Sequence, residues 1–575
     1  MTPGTAWEER AQRVARLTPS ALTRLYNESD GETRRSLLRA RFRYKPAEFL
    51  AYCLPSLFSR PFNRFHRAML DREKRPHRER VGQNAFRAAA APRGIAKTTV
   101  AKGDIVHDIV YGLESYIVIV SAETRLARKI TGHLRRLFLA TTGALAELYG
   151  PFALTGGVDE FTVTAPGSAP IGVLARSFGT QVRGANEDGM RPTRILVDDG
   201  ERPDRVRNPD LRRQHQEFLD QDIIRAGPID GGLNLDFNGT ILHPDSVLAN
   251  AIKNPAWSAS VWKACEVMPD RLDLWEQCGR IWADLALGDV NQRRACALEF
   301  YGRHRADMDR GARMLDARAL PLFAFFEAAW SQGWASVLKE LQNEPRAAGS
   351  TFYDSSTFAR CVVHADHLVT AEGRRVRLSD CRAFLRLDPI PGDELGGLAS
   401  EDHGAGGSDF AAIAAILRDP FGYGFVVEAW MRRARDSVQL AALWELSAKW
   451  AKLTGQPSVK ATIESNGFQR LLGREFRRQQ VQRRDRGEFW QVTAEDDTST
   501  TNKEDRLASL EGPVAAGWLQ FASHLPPALL AQFDAFPGAD HDDGHDAVEG
   551  AWRNSSVTRV GMVNTPLGFN FGPRP

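Results

Sequence analysis

Apolar residues along this chain fall into two alternating patterns. Short continuous apolar runs predict buried strands at 85–92, 116–121 (YIVIVS), 172–175, 194–197 (RILV) and 233–242 (LNLDFNGTIL). Between them, residues 100–111 and 125–139 carry apolar side chains at helical spacing. Strands apolar on both faces, separated by helices, predict a mostly parallel sheet covered on both sides. Residues 1–60 read as short helices. Residues 255–350 are rich in Trp and lack strand signals, with amphipathic spacing over 300–315 and 322–341. Alternation resumes near 380. Strands are expected at 383–387 (AFLRL), 410–417, 424–430, 459–463 and 518–521, the second and third as a hairpin, with helices over 439–453 and from Asp543. The expected organisation is a helical extension (1–60), an α/β domain (61–254), a helical linker subdomain (255–350), a second α/β domain (351–555) and a tail rich in Gly, Pro and Asn (556–575).

Composition narrows the class. A chain of 575 residues is long for one domain. It is 43% hydrophobic and 26% charged, with a formal net charge of +3. No apolar run approaches the ~20 residues of a membrane span, and the polar start has no signal-peptide core. Six cysteines without C-x-x-C pairing suit reduced, buried thiols in a cytosol. Bulk charge does not announce a nucleic-acid partner. Locally, Arg470, Arg474, Arg477, Arg478, Arg483, Arg484 and Arg486 crowd one stretch, which reads as a solvated helix face or as a phosphate-contacting one.

The chemistry of the first half centres on PRGIAKTT, between the first strand and the first helix of the α/β region. A strand, a tight turn and a helix N-terminus aim backbone N–H groups and the helix dipole at an anion. Arg93, Gly94, Ala96, Lys97, Thr98 and Thr99 are the expected phosphate cradle, Lys97 as point charge and Thr98 as hydroxyl ligand of Mg2+. Ala91 and Ala96 replace the two glycines of the phosphate-loop pattern. Ala tolerates positive φ poorly, so either φ at Ala96 is negative or the loop there is strained. The strand RILVDD delivers Asp198 to the Mg2+ shell and a second carboxylate to the attacking water. Asp199 and Glu201 both remain candidates for the second role, with the longer Glu201 favoured because it can reach back across Gly200. Thr240, ending FNGT, is placed to sense the γ-phosphate. Arg93 and Arg183 are candidates for charge stabilisation. Phe65 and His66 precede the first strand and serve either base contact or helix packing.

In the second half, carboxylates stand at the ends of elements: Asp388 with Asp409, then Glu464, then Asp542 and Asp543 with Asp546. Hard oxygen ligands from separate strands and a helix suit Mg2+ or Mn2+. Two such ions clamp the oxygens of a phosphodiester. His541 and His545 flank the last cluster and are expected as exposed loop residues.

In order and spacing, PRGIAKTT, RILVDDGE, FNGT, LRLDPI with SDFAAI, ATIESNGFQ and HDDGHDA resemble the large terminase subunits of tailed bacteriophages over residues 60–555. The resemblance implies an α/β chain joining a P-loop, ASCE-type ATPase to an RNase H-like nuclease. It implies ATP-driven movement of double-stranded DNA into a prohead and cutting of the concatemer. On it, Lys97, Asp198, Asp199 or Glu201, and Thr240 are the ATPase residues. Asp388, Glu464 and Asp542 or Asp543 are the nuclease acids, with Asp409 and Asp546 secondary. It further implies ATP and Mg2+ or Mn2+ as cofactors, a portal protein and a small terminase subunit as partners, a pentameric ring, and host cytoplasm as location. The alternatives are an ATP-dependent helicase or repair nuclease, disfavoured by the lack of a second RecA-like domain, and a non-enzymatic DNA-binding virion protein.

Overall fold

The computed structural model describes residues 5–71, 83–180, 190–345, 352–390, 410–464, 469–487, 491–497, 503–539 and 541–555. It divides into two compact units. The first comprises Met1–Leu272, Ala306–Ala328 and Trp334–Ala348, the second Asp273–Arg305, Ala329–Gly333 and Gly349–Pro575.

The first unit is built on an eight-stranded sheet. Its strands are β1 (Ala85–Ala90), β2 (Tyr116–Ser121), β3 (Ala153–Gly156), β4 (Glu160–Thr164), β5 (Ile171–Ser177), β6 (Arg194–Asp198), β7 (Asn234–Gly239) and β8 (Ser258–Val261), in the order β3-β4-β5-β2-β6-β7-β1-β8. From β5 to the β8 edge of that order all neighbours pair in parallel, while β3 and β4 add an antiparallel edge. Every residue of β2, β6 and β7 is buried, which is why β2 and the Ile195–Val197 stretch of β6 read as continuous apolar runs, whereas β7 alternates and buries Asn234, Asp236 and Asn238. One strand, β7, separates β1 from β6, as in an ASCE-type sheet. The carboxyl ends of all three therefore share one edge, with Ala90 level with Gly239 and Asn238 level with Asp198.

The runs conceal a charge. Arg194 opens RILV yet is only 1% exposed. Its guanidinium reaches Asp104 at 2.7 Å, Asp236 at 3.2 Å and Asp108. A buried guanidinium needs such carboxylates, since an unpaired buried charge is prohibitively costly.

The second unit has a nine-stranded mixed sheet. Its strands follow a two-stranded ribbon of the first unit, β9 (Cys265–Val267) with β10 (Arg313–Met314). They are β11 (Arg360–Val363), β12 (His367–Val369), β13 (Arg375–Arg377), β14 (Arg382–Asp388), β15 (Ala411–Arg418), β16 (Gly424–Arg432), β17 (Ser458–Glu464), β18 (Gln491–Asp497) and β19 (Leu519–Ala522). Their order is β13-β12-β11-β19-β16-β15-β14-β17-β18. β15 and β16 form the expected hairpin, β14 pairs antiparallel with β15 beside it, and β17 then β18 continue in parallel from β14. The helix Asp543–Asn554 packs across β14 and β15. Gly550 on it is required sterically, because a Cβ there would overlap the buried Arg386 side chain of β14.

Residues 255–350 do not form one helical subdomain. They are shared between the units and contain β8, β9 and β10. Their tryptophans explain part of the division: in the second unit Trp282 stacks on Trp518 at 5.5 Å, with the Arg293 guanidinium 5.3 Å from both rings. The Trp518 indole donates to the Ala283 carbonyl at 2.6 Å. The missed strands are two to four residues long and partly exposed, too short for a periodicity. All six cysteines are free, and five are buried. Among the described residues no helix is long and apolar enough to cross a membrane.

Candidate functional site

In the first unit the turn after β1 leads directly into the helix Lys97–Val110. Lys97 is buried and donates from Nζ to the Ala91 carbonyl and to Thr240 Oγ1, both at 2.8 Å. Thr240 in turn donates to the Ala91 carbonyl at 3.3 Å. Thr98 Oγ1 donates to Asp198 Oδ2 at 2.6 Å. The loop, the strand-end acid and the β7 threonine thus converge as the sequence reading grouped them. Thr99 lies in the same helical turn, and Arg93 is exposed and paired with Glu340 at 3.1 Å. Arg183 lies outside the described residues.

Burial sets the electrostatics here. It lowers the Lys97 pKa, opposed by Asp199 at 3.9 Å and by Asp198. It lifts Asp198 to about 7, helped by Asp199 and opposed by Thr98. Asp198 Oδ1 is buried without a hydrogen-bond partner among the described residues. An orphaned carboxylate oxygen beside a threonine hydroxyl at a helix N-terminus fits a Mg2+–nucleotide.

The strained alternative is the one observed at Ala96. Its φ is +62°, and Gly94 also has positive φ, at +82°. The loop therefore keeps the left-handed turn that glycine ordinarily supplies, at a cost of roughly 1–2 kcal/mol for a residue with a Cβ. Ala96→Gly is expected to raise the melting temperature of the nucleotide-free chain by a few degrees without weakening nucleotide binding. A lower melting temperature in a thermal scan would contradict the strain assignment.

Glu201 does not reach back across Gly200. Its two carboxylate oxygens accept from the backbone N–H of Val247 at 2.9 Å and Leu248 at 3.1 Å. It therefore caps the helix Val247–Lys253. Burial raises its pKa, and those two bonds oppose the rise. Gly200 is a glycine because a Cβ there would press on Val197 and Phe178. Asp199 is the carboxylate left beside the phosphate loop, 55% exposed and held at φ +45°. Backbone strain of this kind gathers at functional sites.

The segment before β1 supports the loop from outside. His66 Nε2 lies 2.7 Å from the Ile95 carbonyl, and Phe65 is fully buried against Ile95 and Trp262. Both residues pack.

In the second unit Asp388 ends β14, Glu464 ends β17, and Asp546 lies in the first turn of Asp543–Asn554. All three are buried, and one carboxylate oxygen of each lies within 4.8 Å of the others. Asp546, secondary in the sequence reading, completes this cluster. Asp542 and Asp543 do not. Asp542 accepts from Lys503 Nζ at 2.7 Å, and Asp543 accepts from the Phe410 backbone N–H at 2.9 Å. Asp542 makes no side-chain cap bond. Gln532 caps that helix instead, accepting from Gly544 and His545 N–H at 2.8 and 3.2 Å. Asp409 lies outside the described residues.

Three cations compensate the acids, and none was singled out from the sequence. Arg386 contacts Glu464 at 3.2 Å, Arg506 pairs with Asp546 and Glu549, and Lys503 also lies 3.4 Å from Asp546. An Arg two residues before Asp388 on the same strand face was the available signal. Burial, then Asp546 and Glu464, push the Asp388 carboxyl well above the usual range. A carboxylate that carries this penalty, among hard oxygen donors from three elements, fits Mg2+ or Mn2+.

His545 is not an exposed loop residue. It is fully buried among Tyr353, Phe533 and Phe536, and burial lowers it to about 3. His541 is partly buried against Phe410, their rings 5.2 Å apart.

No protein-family model and no curated protein matches the chain. Among solved structures, it is similar to the large terminase of a thermophilic bacteriophage in complex with ADP: 9% identity, TM-score 0.38, covering 86% of this chain and 98% of that one. It is similar to the ATPase domain of a Thermus phage large terminase at 14% identity and TM-score 0.26, over 44% of this chain and 96% of that one. For the human cytomegalovirus terminase nuclease domain the identity is 13% and the TM-score 0.24, over 30% and 83% of the two chains.

Proposed function

We propose that this chain is a large terminase subunit, which hydrolyses ATP to move double-stranded DNA into a prohead and cuts the concatemer with a metal-dependent endonuclease. The observation that carries the reading is two sites on one chain. Lys97, Thr98, Asp198 and Thr240 converge at the end of one sheet, and Asp388, Glu464 and Asp546 at the end of another. The motif order of the sequence supports the same reading.

In the first site Lys97 and the N–H groups of the helix N-terminus would bind phosphate, and Thr98 and Asp198 would hold Mg2+, which supplies charge neutralisation at the phosphates. Asp199 orients the attacking water, and Thr240, bonded to Lys97, responds to the γ-phosphate. In the second site Asp388, Glu464 and Asp546 would hold Mg2+ or Mn2+, an ion that supplies Lewis-acid activation of a phosphodiester and of its attacking water. Lys503, Arg506 and Arg386 hold those acids in place. On this reading the partners are a portal-bearing prohead and a small terminase subunit, the working form is a ring, commonly a pentamer, and the location is the host cytoplasm.

The test uses the full chain. ATP hydrolysis should be stimulated by linear duplex DNA, and DNA should become nuclease-protected only when portal-bearing proheads are added. DNA stimulation without prohead dependence would place the chain among helicases. Absence of ATP turnover would refute the motor and leave a nuclease or a binding protein, which metal-dependent nicking of DNA separates.

The two carboxylate candidates separate by turnover. Asp199→Asn should retain nucleotide binding and lose at least ~10²-fold in ATP turnover. Glu201→Gln should hydrolyse ATP within a few-fold of wild type while losing roughly 1 kcal/mol of stability through a weakened cap. The reverse pattern would return the hydrolytic role to Glu201.

A further inference from the structure

We infer that the arginine helix Gln469–Asp485 is a backbone-binding track for duplex nucleic acid, laid from the carboxylate cluster outward. The inference rests on the nuclease reading for what the duplex is doing there. Within 470–486 the sequence places seven arginines against two acids. In the structure Arg474, Arg477, Arg478, Arg484 and Arg486 are exposed, while Leu472 and Phe476 are buried. Phe476 stacks on Trp444 at 4.5 Å, and Gln479 accepts from the Trp444 indole at 3.0 Å. The apolar face is thus anchored to the domain and the cationic face is turned outward.

Topology fixes where the track begins. β17 and β18 are parallel neighbours joined through this helix, so the helix runs back along the sheet between them. Its N-terminal end consequently lies at the carboxyl end of β17, which carries Glu464. A helix of 17 residues spans ~25 Å, the length of about seven base pairs of duplex. Arg474, Arg477 or Arg478, and Arg484 recur at intervals that keep them on one side of the helix and form one stripe.

The chemistry of the face selects the occupant. Guanidinium groups suit phosphate oxygens. The exposed positions of the helix carry no aromatic residue among the described side chains, so there is no stacking platform of the kind single-stranded binders use. Leu472 and Phe476 face the core and Val481 is the single exposed apolar residue among the described side chains of the helix, so it has no apolar face to insert into a membrane.

The experiment combines Arg474→Gln, Arg477→Gln, Arg478→Gln and Arg484→Gln in the full chain, in the Asp388→Ala background so that bound DNA is not cut. Binding of a duplex of about 30 base pairs, several times the length of the track, is followed by fluorescence anisotropy across a NaCl series. A matched single strand and polyglutamate are run in parallel. The duplex affinity should fall at least ~10-fold at moderate salt, and the slope of log K against log[NaCl] should become shallower by ~0.9 for each phosphate no longer neutralised. The matching set of Arg→Lys changes should keep both. The melting profile and the near-UV circular dichroism, to which the Trp444–Phe476 stack contributes, should be unchanged, which checks folding of the second unit. An unchanged slope and affinity in the Gln variant would overturn the inference, and so would a loss confined to polyglutamate or to the single strand. Since binding is read without cleavage, failure of the nuclease assignment shows separately, as retained cutting in Asp388→Ala alone.

Discussion

Replacing Lys97 by Ala is expected to lower ATP turnover by at least ~10²-fold and to leave metal-dependent nicking of DNA unchanged. Lys97 Nζ is bonded to the Ala91 carbonyl and to Thr240 and lies 3.9 Å from Asp199. It is thus the cation that ties the loop to both the β7 threonine and Asp199, the carboxylate proposed to orient the attacking water. In a buried pocket such a charge interacts more strongly than it would in water. Its loss would uncover the Asp198–Asp199 pair, whose repulsion already contributes to the raised Asp198 carboxyl, so nucleotide binding should weaken as well. The measurement is steady-state ATP hydrolysis beside a supercoil-nicking assay on the same preparation. Normal turnover in the variant would remove the phosphate loop from the mechanism.

Asp388→Ala is expected to abolish cleavage and to spare ATP hydrolysis, because the two sites belong to different units. Asp546→Ala should behave in the same way, whereas Asp543→Asn should retain cleavage, since that carboxylate serves the Phe410 N–H. The stability readout has a definite sign. Asp388 binds its proton more tightly in the folded chain than in the unfolded one. From the unfolded carboxylate value near pH ~4 upward, this group therefore subtracts stability as pH rises, until pH passes its raised folded value. Metal-free Asp388→Ala should accordingly be more stable than wild type at neutral pH, with the difference shrinking on acidification. Mn2+ should raise the melting temperature of wild type through preferential binding to the folded state, and raise it far less in the variant. The full chain is required, because a fragment beginning at 350 lacks Asp273–Arg305, which belongs to the second unit. A variant that cuts DNA normally in Mn2+ would refute the nuclease assignment.

Much of this architecture was legible as hydrophobic pattern. Tyr116–Ser121 matches its strand residue for residue, and the strands at 194–198 and 382–388 lie within one or two residues of expectation. Buried parallel strands carry their signal in sequence because both faces are apolar. Pattern reading failed where elements are short, edge-located or anchored by single tryptophans. β8 to β13 fall in that class, as does the division of 255–350 between two units.

The sequence by itself determined which residue types stand at the ends of which strands: Lys97 and Thr98 after β1, the acid pair after β6, Thr240 after β7, Asp388 and Glu464 after β14 and β17. Strand-end position follows from where an apolar run stops, and that is local information. Only the tertiary structure decided which acids meet. Glu201 and Asp199 are two residues apart, yet one caps a helix and the other faces the phosphate loop. Asp542, Asp543 and Asp546 share one turn, yet only Asp546 lies on the side of its helix that meets β14 and β17. That choice depends on the azimuth of a helix packed across a sheet, with Gly550 admitting Arg386 and Gln532 capping from a neighbouring helix. Those contacts join positions far apart in the chain, and no spacing rule within a single motif encodes them.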